Sequence, residues 1–313
     1  MAAMYQGDFA AGESPEPAPV ELPESQTVKS SRLAGIFSAL VSIALLVAVA
    51  FQFRDMNFRE IMAMIPRHPG FWIVFAGYYL AGPFCEWIIY RRLWHIPFTA
   101  MGALLRKLVS NELLLGYLGE AQFYAWVRSR QTLAAAPFGA IKDVTILSAL
   151  TGNIATIIML ILAWPLVSAG IVGVEMKTAF MSLGIVLVTS FAIFLFRRRL
   201  FSLPQGQLWF IATVHSVRIL ATLGLAALMW HLVLPDVAIG MWLVLATLRL
   251  LISRLPLLPN KDIMFAGLAV FLMGHDVEIT SLLAMMALVL LVTHLVVGTT
   301  LALVDLAETG RNK

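Results

Sequence analysis

Charge is scarce in this 313-residue chain: 13% of residues are Asp, Glu, Lys or Arg, against 60% that are apolar. With a mean hydropathy of +0.87, that balance excludes an ordinary soluble domain. Cysteine is almost absent. The single Cys85 cannot form an intrachain disulfide, and no CxxC or Cys/His spacing suggests a structural metal. Short strands of alternating polarity are missing, which argues against a membrane β-barrel. The signatures HExxH, GxSxG, GxGD and the Walker A lysine loop are missing too, so neither enzyme activity nor a cofactor is expected. The basic residues flank apolar runs and form no exposed basic face, which leaves no case for nucleic-acid binding.

What the chain does have is long apolar runs, at roughly 33–53, 70–90, 141–164, 178–196, 206–230 and 279–304. Each suffices to cross a hydrocarbon core of about 30 Å as a helix. An all-α polytopic membrane protein is therefore expected. Residues 1–32 hold four prolines, five acids and only two bases, Lys29 and Arg32. That composition predicts a disordered tail, and the run at 33–53, too long for a typical cleaved signal, is expected as an uncleaved first span. Beyond the tail, 20 bases face 13 acids, a basic body suited to anionic lipid headgroups.

Two further apolar regions, 100–128 and 237–272, carry too many polar groups for simple lipid-facing helices. The first holds Arg106, Lys107, Asn111, Glu112 and Glu120. Arg91 and Arg92 before it and Arg128, Arg130 and Lys142 after it all belong on the cytoplasmic side by the positive-inside bias. The stretch between them must enter and leave on one side, as a re-entrant helical hairpin with its tip near 116–119. Such a tip has to be buried in protein or line a wet cavity. The second region, around "SRLPLLPNKDIMFAG" (253–267), fits a hairpin dipping in from the opposite side. Arg197, Arg198 and Arg199 then mark the cytoplasmic end of the fourth span, and Arg311 and Lys313 follow the last. Arg54, Arg59 and Arg67 in the first external loop run against the bias.

The halves then match: each holds two spans, a hairpin and a third span. Starts pair at 33 and 178, 70 and 206, 141 and 279, while Lys107 with Arg249, Glu112 with Arg254 and Glu120 with Asp262 share an offset of 142 residues. An odd-span half repeated once predicts an inverted-topology repeat, a construction common in secondary transporters. The expected organisation is a cytoplasmic tail (1–32), a first membrane repeat (33–164), a second (178–305) and a C-terminal tail (306–313), with six spans, two re-entrant hairpins and both termini cytoplasmic.

"LLLGYLGEAQFYAWVRSR" (113–130) and "LLISRLPLLPNKDIMFAGLAVFLMG" (250–274) resemble the P-x-x-x-GE and LP-x-x-PGG-x-G-x-x-E segments of the flippase-like, lysylphosphatidylglycerol-synthase transmembrane region family. The resemblance covers most of 33–305. It implies a bacterial inner-membrane protein with broken-helix repeats that moves or presents lipids. The soluble aminoacyl-transferring domain of some relatives is not among these residues, so aminoacyl-lipid synthesis is not expected. Gly119 and Glu120 keep the GE pair. Phe123 and Val144 stand where relatives tend to have Arg, Asn260 and Lys261 replace two glycines, and Ala266 replaces an acid.

Ionisable residues inside a membrane persist when they pair, line water or meet a polar ligand. Arg249 and Arg254 suit a lipid phosphate, because guanidinium binds phosphate oxygens bidentately; alternatively they pair with Glu112 or Asp262. His215 and Arg218, at i and i+3 near the middle of the fifth span, share a face suited to a cavity. Asp262 and Glu120 open the second arms of the hairpins, as caps or as cavity acids. In the leading expectation, Arg218, Arg249, Arg254 and Lys261 hold an anionic or phosphate-bearing headgroup while Glu112 and Glu120 supply counter-charge and proton coupling. The alternative is a non-transporting accessory protein that scaffolds a lipid- or polysaccharide-synthesis enzyme. Asn153 and His294, each mid-span, are expected to form interhelical hydrogen bonds.

Overall fold

A computed structural model describes residues 63, 65–113, 118–129, 137–168, 176–254, 265, 268–269, 271–272 and 276–311. The described residues are all-helical. In chain order they form α1 (Pro69–Trp94), a short 3-10 turn (Phe98–Ala100), α2 (Met101–Leu113), α3 (Leu118–Arg128), α4 (Pro137–Ser168), α5 (Met176–Leu195), α6 (Arg197–Leu200), α7 (Gln205–Val233), α8 (Ile239–Arg254) and α9 (Asp276–Arg311). Four stretches, Pro69–Trp94, Pro137–Leu162, Gln205–Val233 and Ser281–Val304, are long and apolar enough to cross a membrane. They correspond to the second, third, fifth and sixth expected spans. The expected fourth span falls on α5, whose apolar stretch Leu183–Ile193 is shorter than those four; the run at 33–53 lies outside the described residues.

The outer surface suits hydrocarbon. Ile161, Leu162, Val188, Phe191, Leu220 and Leu303 are all more than half exposed. Hydroxyls on these helices are satisfied locally: Thr213, Ser216, Thr247 and Thr300 each donate to the carbonyl four residues earlier, which meets the requirement that polar groups in lipid find internal partners. Trp72 at the start of α1 donates its indole N–H to the Pro66 carbonyl at 3.0 Å, a suitable place for an interfacial ring.

Local chemistry sets the helix ends. Pro69 occupies the first turn of α1, where a missing N–H costs nothing, and His68 Nδ1 accepts the Gly70 N–H at 3.1 Å. The helix stops at His95, which adopts a left-handed conformation (φ 54°) and returns its N–H to the Arg91 carbonyl. Arg91 stacks over Trp87 and Arg92 over Phe210 of α7. On α4, buried Asp143 accepts the backbone N–H groups of Ser202 and Leu203 at 2.6 and 2.8 Å. Neighbouring Lys142 binds the Leu200 carbonyl and the Ser202 hydroxyl. Together they fasten the start of α4 to the segment that leads into α7.

Helix α7 is central and packs against α1, α4 and α8. Helix α2 packs on α9, and α8 packs on α4. Helices α2 and α3, of 13 and 11 residues, fold back on each other: Ser110 donates to Gln122 at 2.6 Å, and Asn111 meets Gly119 and Glu120. At 1.5 Å per residue each arm is about 17–20 Å long, too short to cross a hydrocarbon core.

Two apolar clusters form. One gathers Phe71 of α1, Trp230 of α7, Trp242 and Leu245 of α8, Phe265, and Leu282 and Met285 of α9. The other gathers Ile89 and Tyr90 of α1, Leu104 of α2, Phe123 of α3, Ile141 and Leu147 of α4, and Ile211 of α7. Along both α1 and α7 the clusters sit toward opposite ends. Tyr79 and Glu86 of α1, and His215 and Arg218 of α7, fall in the sequence between them.

Candidate functional site: a charged cavity between α1, α2, α3, α4 and α7

Glu86 is the one acid in the apolar helix α1. Its Oε1 lies 2.7 Å from Lys107 Nζ on α2, and the side chains are 15% and 5% exposed. Lys107 also reaches Glu120 Oε1 of α3 at 3.4 Å. A lysine so deeply buried keeps its charge only with close counter-charge, and here two carboxylates supply it.

Asn111 organises the third corner. Its Oδ1 accepts the Gly119 N–H at 2.8 Å, so the first turn of α3 is capped from α2. That fixes the amide so that Nδ2 faces Glu120, 3.1 Å from Oε2. Of the two roles open to Glu120, cap or cavity acid, its carboxylate takes the second, while Asn111 accepts the Gly119 N–H. Only glycine fits at 119, because a Cβ there would drive into the Lys107 carbonyl oxygen and lie 2.7 Å from Asn111 Oδ1. The GE pair thus has a physical reason: glycine for the close approach of α2 and α3, glutamate for the lysine.

These groups border a cavity of about 160 Å3 lined by Glu86, Lys107, Glu120, Val144, Thr145, Ser148 and Ala149. The volume matches that of roughly five liquid waters. Arg218 of α7 donates to Ser148 Oγ at 3.0 Å and so meets the cavity wall. On the lining itself, the buried Thr145 Oγ1 has no hydrogen-bond partner among the described residues. Such an atom is costly unless water or a ligand meets it. From the Trp94 end of α1 to Glu86 is about 12 Å, and from the start of α7 to Arg218 about 20 Å, so the charges lie well within the helices.

No family model, curated protein or solved structure matches the chain. Function has to be argued from the site's own chemistry.

Of the expected site residues, the structure brings Glu120, His215 and Arg218 to this one region. Arg249 does not join them. Its guanidinium lies 5.9 Å from the Trp230 ring centre and 5.7 Å from that of Phe265, and Trp230 is twelve residues beyond Arg218 on α7, about 18 Å along the axis. No ion pair between Arg249 and Glu112 forms among the described residues; aromatic faces hold that cation instead. Glu112 is exposed on α2 and borders no part of the cavity. The Arg254 side chain, Lys261 and Asp262 lie outside the described residues. Asn153 binds Ser190 across α4 and α5 at 3.1 Å, and His294 binds Tyr79 across α9 and α1 at 3.0 Å. The unforeseen members are Glu86, Lys107 in its actual pairing, Thr145 and Ser148. A lone acid inside an apolar span was the available signal for Glu86.

Proposed function

We propose that this is a lipid transporter of the flippase-like kind, in which a phosphate-bearing headgroup enters the cavity while its acyl tails stay in the bilayer. Lys107 and Arg218 hold the phosphate; Glu86 and Glu120 balance the cations when it is empty. The observation that carries this reading is a charged, partly unsatisfied cavity inside an otherwise apolar helical body. Polar groups so placed mark substrate pathways far more often than scaffolding. The reciprocal packing of α2 on α9 and of α8 on α4 supports two inverted repeats, with the α2–α3 hairpin re-entrant from the cytoplasmic side of a bacterial inner membrane.

The accessory-scaffold reading has one observation in its favour: Lys107 is already satisfied by two carboxylates. Reconstitution separates the two. Purified protein in liposomes should exchange fluorescent phosphatidylglycerol between leaflets, and Lys107→Ala or Arg218→Ala should slow exchange by about tenfold or more, equivalent to about 1.4 kcal/mol. If the wild type moves no labelled phospholipid and copurifies with a synthesis enzyme, scaffolding replaces transport.

A further inference from the structure

We infer that entry of a phosphodiester anion into the cavity is coupled to uptake of one proton by Glu120, which releases Lys107 to the phosphate. This rests on the phosphate-binding reading above. Bordering the cavity are Glu86 from α1, Lys107 from α2 and Glu120 from α3, with Arg218 of α7 bonded to its wall; Cys85, Tyr90 and His215 lie within electrostatic range of these charges, and α4 contributes the hydroxyls of Thr145 and Ser148. The two carboxylates, Glu86 and Glu120, balance the two cations, Lys107 and Arg218. A bound monoanion upsets that balance in a medium that screens weakly, and one proton restores it.

Geometry selects Glu120 as the acceptor. Glu86 holds Lys107 at 2.7 Å from within a 26-residue helix, whereas Glu120 stands at 3.4 Å on an 11-residue arm. The longer contact is the one to yield. A protonated Glu120 keeps the Asn111 N–H as donor to its carbonyl oxygen, because Asn111 is pinned by Gly119. Its new O–H is free to donate to a phosphate oxygen. The unpartnered hydroxyl of Thr145 on the wall offers a second neutral donor. The proton comes from the aqueous side, one carboxylate oxygen gains it, and no bond to the lipid forms or breaks.

The test uses dihexanoyl phosphatidylglycerol, a monoanionic diester with no group titrating near neutrality, added to the full chain in dodecyl maltoside. Calorimetry at pH 7 in two buffers of different ionisation enthalpy counts protons. The wild type should take up about one proton per lipid bound. Glu120→Gln should still bind with the count falling to near zero, and Lys107→Met should weaken binding by about tenfold. A wild-type count of zero, which needs no variant, overturns the inference, as does an unchanged count in Glu120→Gln. Dimethyl phosphate binding equally well with the same count keeps the proton coupling but assigns the site to a free anion. Failure of both probes to bind removes the phosphate reading itself.

Discussion

Lys107 on α2 and Glu86 on α1 meet at 2.7 Å in a site where the lysine side chain is 5% exposed. Removing Lys107 strands Glu86 and takes a cation from Glu120, whereas removing Glu86 leaves Lys107 the longer Glu120 contact. Lys107→Met should cost about 3–5 kcal/mol, the penalty for leaving buried charge uncompensated. Glu86→Gln combined with Lys107→Met should cost less than the sum of the two single changes. Denaturant unfolding in mixed micelles measures both; strict additivity would show that the pair is not coupled.

Asn111 and Gly119 give a second prediction. Asn111→Ala leaves a buried N–H without its acceptor and should cost about 1–3 kcal/mol. Gly119→Ala should separate α2 from α3, because its Cβ meets the Lys107 backbone. In a Cys85→Ser background, the pair Ser110→Cys and Gln122→Cys should cross-link readily, and adding Gly119→Ala should abolish that cross-link. Persistent cross-linking would mean that the hairpin accommodates the methyl group.

Topology can be tested away from the site. A reporter inserted at Gly274 should register on the periplasmic side, as an inverted second repeat requires. A cytoplasmic signal there would remove the second hairpin's proposed direction of entry.

Much of this arrangement was legible along the chain, and what was not has a common cause. Apolar run length located α1, α4, α7 and the body of α9 to within a few residues, because crossing hydrocarbon demands a minimum helix length. The polar content of 100–128 marked a segment unlike the plain spans, and within it α2 and α3 pack on each other; of the expected tip at 116–119, residues 116–117 lie outside the described residues and Leu118 and Gly119 already belong to α3. The i, i+3 spacing of His215 and Arg218 puts them on one face of α7, from which Arg218 meets Ser148 of the cavity wall. Pairing between helices was another matter. A constant offset suggested that Lys107 corresponds to Arg249, yet Lys107 meets carboxylates and Arg249 meets rings. Which residue faces which depends on how α2 is rotated against α1, and spacing within either segment does not encode that rotation. Glu86 escaped notice because its flanks satisfied every requirement of a plain span.

The Asp143 contacts carry a mechanical consequence. By gripping the Ser202 and Leu203 amides, Asp143 pins the first turns of α4 to the segment that leads into α7, next to the Val144–Ser148 wall of the cavity. Those two helices cannot part there without surrendering two charge-assisted bonds. The α2–α3 arms are tied differently: the Lys107–Glu120 contact joins the two arms to each other and Glu86 ties Lys107 to α1, so the α4–α7 seam and the hairpin are held by separate sets of bonds.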